Sequence, residues 1–138
     1  MMTIEAKGTF EIKSWDEKTW EGKSWDEVDG AKLTHARVTT VLRGDIEGEA
    51  AAQSLMVYRD DGTASYVGLE RVVGRIGSRS GSFVWQSQGT FADGAARTTW
   101  TVVPGSGTGD LAGLRGQGSY TAYHGQQPVP FTFDYDFE

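Results

Sequence analysis

The stretch Tyr66–Val102, YVGLERVVGRIGSRSGSFVWQSQGTFADGAARTTWTV, decides the fold. Its apolar and polar residues alternate with a period of two, which is the pattern of half-buried strands rather than helices. Asp93-Gly94 interrupts the alternation with a pair that two-residue hairpin turns favour. Ser78-Arg79, between Gly77 and Ser80, marks a second turn. The same grammar extends in both directions. Gly44-Asp45 and Asp61-Gly62 break earlier runs. At the C-terminus, VPFTFDYDFE puts Val129, Phe131, Phe133, Tyr135 and Phe137 on one face and Thr132, Asp134 and Asp136 on the other. Strands are expected at about 4–15, 32–43, 46–59, 63–76, 81–92, 95–103, 115–124 and 129–138. Eight strands joined in order by short turns predict an all-β, closed antiparallel up-and-down barrel within one domain, residues 1–138. At eight strands the interior is filled by side chains or holds one small ligand.

Taking each turn as two residues fixes a register. Glu70 then falls opposite Ser87 on one side and Gln53 on the other, and Ser87 falls opposite Trp100. Their face also carries Val38, Thr40, Leu42, Ala51, Leu55, Val57, Tyr66, Val72, Phe83, Trp85, Phe91 and Val102. The other face carries His35, Arg37, Arg71, Gln86, Gln88, Arg97 and Thr99. The apolar face is expected inside. It leaves a mid-strand polar set of Glu70, Gln53 and Ser87, with Glu49 nearby, walled by Trp85, Trp100 and Tyr66. A carboxyl desolvated among aromatics has a raised pKa, which is how proteins make an acid or base for work near neutrality. Glu70 is therefore the candidate catalytic group, and Glu49, Gln53, Tyr66, Trp85, Ser87 and Trp100 are candidate ligand-binding residues. The alternative is a buried Glu70 satisfied by Gln53 and Ser87 in a filled core.

Composition narrows the partners. The chain has 138 residues, a formal net charge of −6 and no cysteine. Disulfides, thiolate metal sites and a Cys nucleophile are excluded. Scattered Lys and Arg give no basic run for a phosphate backbone or an anionic membrane surface. The opening MMTIEAKGTFEIK lacks an apolar targeting segment, so a cytoplasmic location is expected. His35 and His124 are far apart in sequence, and no metal or other cofactor is expected.

Two long connections remain. GSGTGDLAG, within residues 105–113, lacks the Lys of a phosphate-binding loop and the spacing of a dinucleotide fingerprint. It reads as a bend holding one helical turn near 108–114, capped by Thr108 or Asp110, that folds over one end of the barrel. Residues 16–31 hold the end of one KSWDE motif and a second copy, the two lying at 13–17 and 23–27, in phase on a strand. The expectation is an acidic loop whose tryptophans pack on the rim; a lid or contact surface is the other reading.

At "GTFEIKSWDE", "GDIEGE", "YVGLERVVGRIGSRSGSF" and "WTVVPGSGTGDLAGLRGQG" the chain resembles a bacterial family of unknown function grouped with the allene oxide cyclase-like and dirigent-like barrels. The resemblance spans nearly the whole length. It implies a closed barrel of about eight strands, assembly as a dimer or trimer, and chemistry on hydrophobic small molecules at or inside the barrel. It also implies a His where this chain has Ser87, so an acid–histidine pair lacks its histidine here. Three functions stand: a cofactor-free cyclase or isomerase using Glu70, a carrier or sensor of a hydrophobic metabolite, and an interaction barrel with a filled core.

Overall fold

The computed structural model describes residues 3–138. Eight strands follow one another: β1 (Ile4–Thr19), β2 (Lys32–Gly44), β3 (Ile46–Tyr58), β4 (Ala64–Ile76), β5 (Arg79–Ala92), β6 (Ala95–Val102), β7 (Leu114–Tyr123) and β8 (Val129–Phe137). Each pairs with the next and β8 returns to β1, so the antiparallel sheet closes. Among the described residues the helical segments are two 3₁₀ turns, Trp25–Glu27 and Gly109–Leu111. The second lies where the Gly-rich connection predicts it.

The Asp93-Gly94 turn is as read: Ala92 pairs with Ala95 and Ser87 with Trp100. Both turn residues have positive φ, 54° and 75°, the geometry whose twist suits adjoining strands. The other three turns close elsewhere. Ile76 pairs with Arg79, so the β4–β5 turn is Gly77-Ser78 and Glu70 faces Trp85 rather than Ser87. A two-residue shift leaves the faces unchanged. At the remaining two turns the shift is one residue, with Leu42 on Gly48 and Tyr58 on Ala64.

These two shifts have opposite senses, so β2 and β4 keep their expected faces while β3 is turned over. Its inner side carries Ala50, Ala52, Ser54 and Met56. Ala51, Leu55 and Val57, expected inside, are exposed, as are Glu49 and Gln53. Glu49 and Gln53 are therefore outer-wall residues, and Glu70 faces Ala52 where Gln53 was expected. The cause at one end is a long-range contact. Asp45 does not close its own hairpin but exchanges hydrogen bonds with Lys7 of β1, accepting from the Lys7 amide at 2.8 Å and donating its own N–H to the Lys7 carbonyl at 3.0 Å. At the other end Asp61 accepts the Thr63 amide at 2.9 Å, which enlarges the loop.

The 103–113 connection, which joins β6 to β7, folds over the end that also carries the β2–β3 and β4–β5 turns. Its Thr108 N–H donates to the Ser82 carbonyl at 2.8 Å, and the Thr108 hydroxyl meets the Ser82 hydroxyl at 2.7 Å. That hydroxyl is thus engaged with β5 and does not cap the 3₁₀ turn, and Asp110 turns to the Ser80 amide at 3.4 Å. A Cβ on Gly81 would stand 2.0 Å from the Thr108 carbonyl oxygen, so glycine is what lets loop and strand approach. Leu111 is driven into the core beside Ile46, Ile76, Phe83, Leu114 and Phe133. Each such large apolar side chain contributes roughly 1.5–3 kcal/mol of transfer free energy.

The KSWDE copies do not share a strand. The first lies in β1, which runs four residues beyond its expected end, to Thr19, and the second lies in the loop that follows. A register break between Ile12 and Ser14 reverses the sides of β1, so Glu17 pairs with Ala36 and faces inward.

Candidate functional site

The buried apolar residues form two separate clusters. The larger fills the loop-covered end up to Val72, Trp85 and Trp100, and the smaller joins Ala36, Val38 and Met56 toward the opposite mouth. Glu70 stands between them. Strand pairing sets Ala52 and Trp85 beside it, and the next inward step brings Ser54, Gly68 and Ser87. Alanine and serine are short side chains, and Gly68 is needed because a Cβ there would collide with the Gln53 carbonyl and the Ser54 hydroxyl.

The Glu70 carboxyl has no hydrogen bond or ion pair among the described residues. Protein surrounds it, and desolvation pushes its pKa up to about 7 from 4.5. The residue as a whole nevertheless stays intermediate in burial, so part of its surface is accessible. On the same inner face, over Gly89, the Tyr66 hydroxyl lies 2.6 Å from the Thr98 hydroxyl, either of which can donate. Tyr120 completes the group. Burial raises its pKa, and the nearby Tyr66 and Glu70 charges add to the effect, while Thr98 opposes it. Burial likewise raises Tyr66 against the opposing Thr98 hydrogen bond.

Trp85 and Trp100 pack beside Glu70 in the core, their rings stacked 4.1 Å apart and 1° from parallel. Trp85 is 0% exposed, and its Nε1–H has no acceptor among the described residues. Phe91 stands at the mouth with 36% of its surface exposed, where the alternation placed it inside. Of the expected set, Glu70, Tyr66, Trp85, Ser87 and Trp100 share the interior face; Glu49 and Gln53 do not. Thr98 and Tyr120 were not singled out. The β7 alternation Leu114, Gly116, Gly118, Tyr120 is the signal that places Tyr120 inward.

A latch ties three neighbouring strands, β1, β2 and β3, at the mouth. Glu17 accepts hydrogen bonds from the Thr34 and Tyr58 hydroxyls, each at 2.6 Å, and from the Trp15 indole at 3.0 Å. Burial, then Glu17, pushes the Tyr58 pKa up. The second KSWDE copy folds against this group. The Lys32 ammonium lies 4.7 Å from the Trp25 ring centroid and 5.2 Å from that of Tyr58, and it donates to the Trp25 and Val28 carbonyls. Trp25 thus meets Tyr58 at the rim, and Trp15, Trp20 and Trp25 each keep 44–59% of their surface exposed.

No group of three or more His, Asp or Glu residues among those described is placed to hold a metal ion. No described helix is long and apolar enough to cross a membrane.

These features define a closed eight-stranded barrel whose interior holds one unpaired ionisable group between two apolar clusters. The chain belongs to the DUF3224 family of proteins of unknown function, whose model matches residues 6–135. It is similar to the crystal structure of a DUF3224 protein of unknown function from Shewanella oneidensis MR-1. That match has 28% identity and a TM-score of 0.80, covering 99% of this chain and 98% of the other. A structure described as pyocyanin demethylase shares the fold at 10% identity and a TM-score of 0.61, covering 96% of this chain and 100% of that one. No curated protein matches the chain.

Proposed function

We propose that this barrel takes a hydrophobic small molecule into the space around Glu70 and isomerises or cyclises it without a cofactor. The observation that carries the reading is the unpaired carboxyl between two apolar clusters, with its pKa near 7. An isolated buried carboxyl is costly, and a group that titrates near neutrality serves equally as base and acid. As carboxylate, Glu70 would take a proton from an activated carbon of the substrate. As carboxylic acid it would return that proton at another carbon, with no net change in protons or electrons. Tyr66, Trp100 and Tyr120 would shape the bound conformer.

This reading groups the family with the allene oxide cyclase-like barrels and places the protein in the cytoplasm as a homo-oligomer. Fold-level support comes from a barrel of this architecture named for an enzymatic activity, demethylation of pyocyanin. A second reading, binding without turnover, is favoured by one detail: the Tyr66 and Thr98 hydroxyls bond to each other and leave Glu70 without a relay.

The test is a carbon-13 NMR titration of the glutamate carboxyls, followed by a screen of apolar carbonyl compounds against the wild type and Glu70→Gln. A Glu70 resonance titrating near pH 7, with turnover that Glu70→Gln abolishes, supports catalysis. Ligand binding without turnover supports the carrier reading. A carboxyl titrating in the ordinary range, with no ligand bound, overturns both.

A further inference from the structure

We infer that the molecule taken up beside Glu70 is an apolar cation, an aromatic or alkyl-substituted ammonium or iminium compound. The inference rests on the ligand-binding reading above and adds the ligand's charge to it.

Three observations converge. Inside, a carboxyl without a partner faces aromatic rings. Trp85 is its cross-strand neighbour, Tyr120 is close enough for their charges to interact, and Tyr66 lies on the same inner side of β4. An ionised carboxylate and the negative faces of aromatic rings both attract a cation and repel an anion. A neutral guest would leave the Glu70 charge uncompensated in a desolvated setting, whereas a cation supplies the missing counter-charge.

At the mouth, the charge has the matching sign. Antiparallel order brings the β1–β2, β3–β4, β5–β6 and β7–β8 connections to one end. They carry Glu21, Asp26, Glu27 and Asp29, then Asp60 and Asp61, then Asp93, against Lys23 and Arg59. The connections at the opposite end add only Asp45 and Asp110. Most of the excess negative charge thus rings the entrance, where it concentrates cations and speeds their arrival.

The third observation concerns what the protein does with its own cation at that entrance. The Lys32 ammonium sits against Trp25 and Tyr58, with carbonyl oxygens satisfying two of its protons. The rim therefore already holds one alkylammonium group by the forces invoked for the guest.

Benzyltrimethylammonium is the probe, with neopentylbenzene as its uncharged carbon isostere and phenylacetate as an anion of similar size. Binding to the full chain is followed by NMR shift perturbation and tryptophan fluorescence. The cation should bind at least about tenfold more tightly than its isostere. Glu70→Gln should remove that preference while leaving weak binding of both. The triple variant Asp26→Asn, Glu27→Gln, Asp29→Asn keeps the chamber intact and should slow cation association a few-fold, as added salt does in the wild type. Because that variant touches only exposed residues, it tests the idea even if Glu70→Gln folds poorly. Equal binding of cation and isostere, or tighter binding of phenylacetate, overturns the cation inference and leaves the ligand reading standing. Failure of all three probes to bind overturns the inference and removes support from the ligand reading as well.

Discussion

Glu70 and Trp85 are cross-strand partners in the β4–β5 ladder, so the carboxyl stands beside a fully buried indole. That neighbourhood disfavours the carboxylate and gives stability a characteristic pH dependence. The folded-state pKa of about 7 lies above the ordinary 4.5. The native state therefore holds its proton more tightly than the unfolded chain does. The resulting stabilisation is full below pH 4.5, declines as pH rises toward 7, and is gone above 7. The window is worth about 3 kcal/mol. Glu70→Gln cannot titrate, so urea unfolding should show the variant gaining on wild type by that amount between the two limits. A difference that stays constant with pH would place the carboxyl in solvent.

The Glu17 latch should be worth more than a surface pair. Removing its carboxylate strands the Thr34 hydroxyl, on a residue that is 0% exposed, together with that of Tyr58. Glu17→Ala should cost about 2–4 kcal/mol and Tyr58→Phe about 1–2 kcal/mol. Chemical unfolding checks both, and a cost near zero for Glu17→Ala would mean that the latch does not hold the mouth.

Gly89→Ala should damage the interior from outside the polar group. The added Cβ would meet the Tyr66 ring at 2.6 Å and the Arg97 carbonyl at 2.5 Å. Overpacking of this kind costs typically 1–3 kcal/mol. It should also part the Tyr66 hydroxyl from Thr98, seen as a lowered melting temperature and a shifted tyrosine resonance. An unchanged melting temperature would contradict the packing described.

We propose that the outer wall of β2–β4 is an oligomer contact. Leu33 faces Val57 and Leu55 faces Val67 across adjacent ladders, with Leu69 next to them, and all five are 42–54% exposed. Contiguous apolar surface of this kind marks contact sites. Leu55→Lys with Leu69→Lys should convert an oligomer to a monomer in sedimentation velocity without altering the circular dichroism. A wild type that sediments as a monomer at micromolar concentration would end this reading.

The faces of β2, β4, β5 and β6 were legible because their alternation is strong and errors of two residues do no harm. β3 was not, because its outward Leu55 and Val57 are more apolar than its inward Ala52 and Ser54. The residue that sets one end of its register, Asp45, is bound to Lys7, thirty-eight positions away. The inward face of Glu70 was legible from the alternation of β4, but its neighbours were not, since Ala52 and Trp85 stand where the turn register put Gln53 and Ser87. The inward turn of Glu17 was hidden because it depends on a register break between Ile12 and Ser14, which neighbouring sequence does not announce.

The Trp85–Trp100 stack has an optical consequence. Two indoles 4.1 Å apart and almost parallel share their electronic excitations. To the extent that their in-plane transition dipoles are turned relative to each other, such a pair gives a paired positive and negative band in ultraviolet circular dichroism that separated tryptophans lack. Since Trp85 is the cross-strand partner of Glu70, the barrel carries its own unlabelled gauge, and a change that tilts either ring would change the signal.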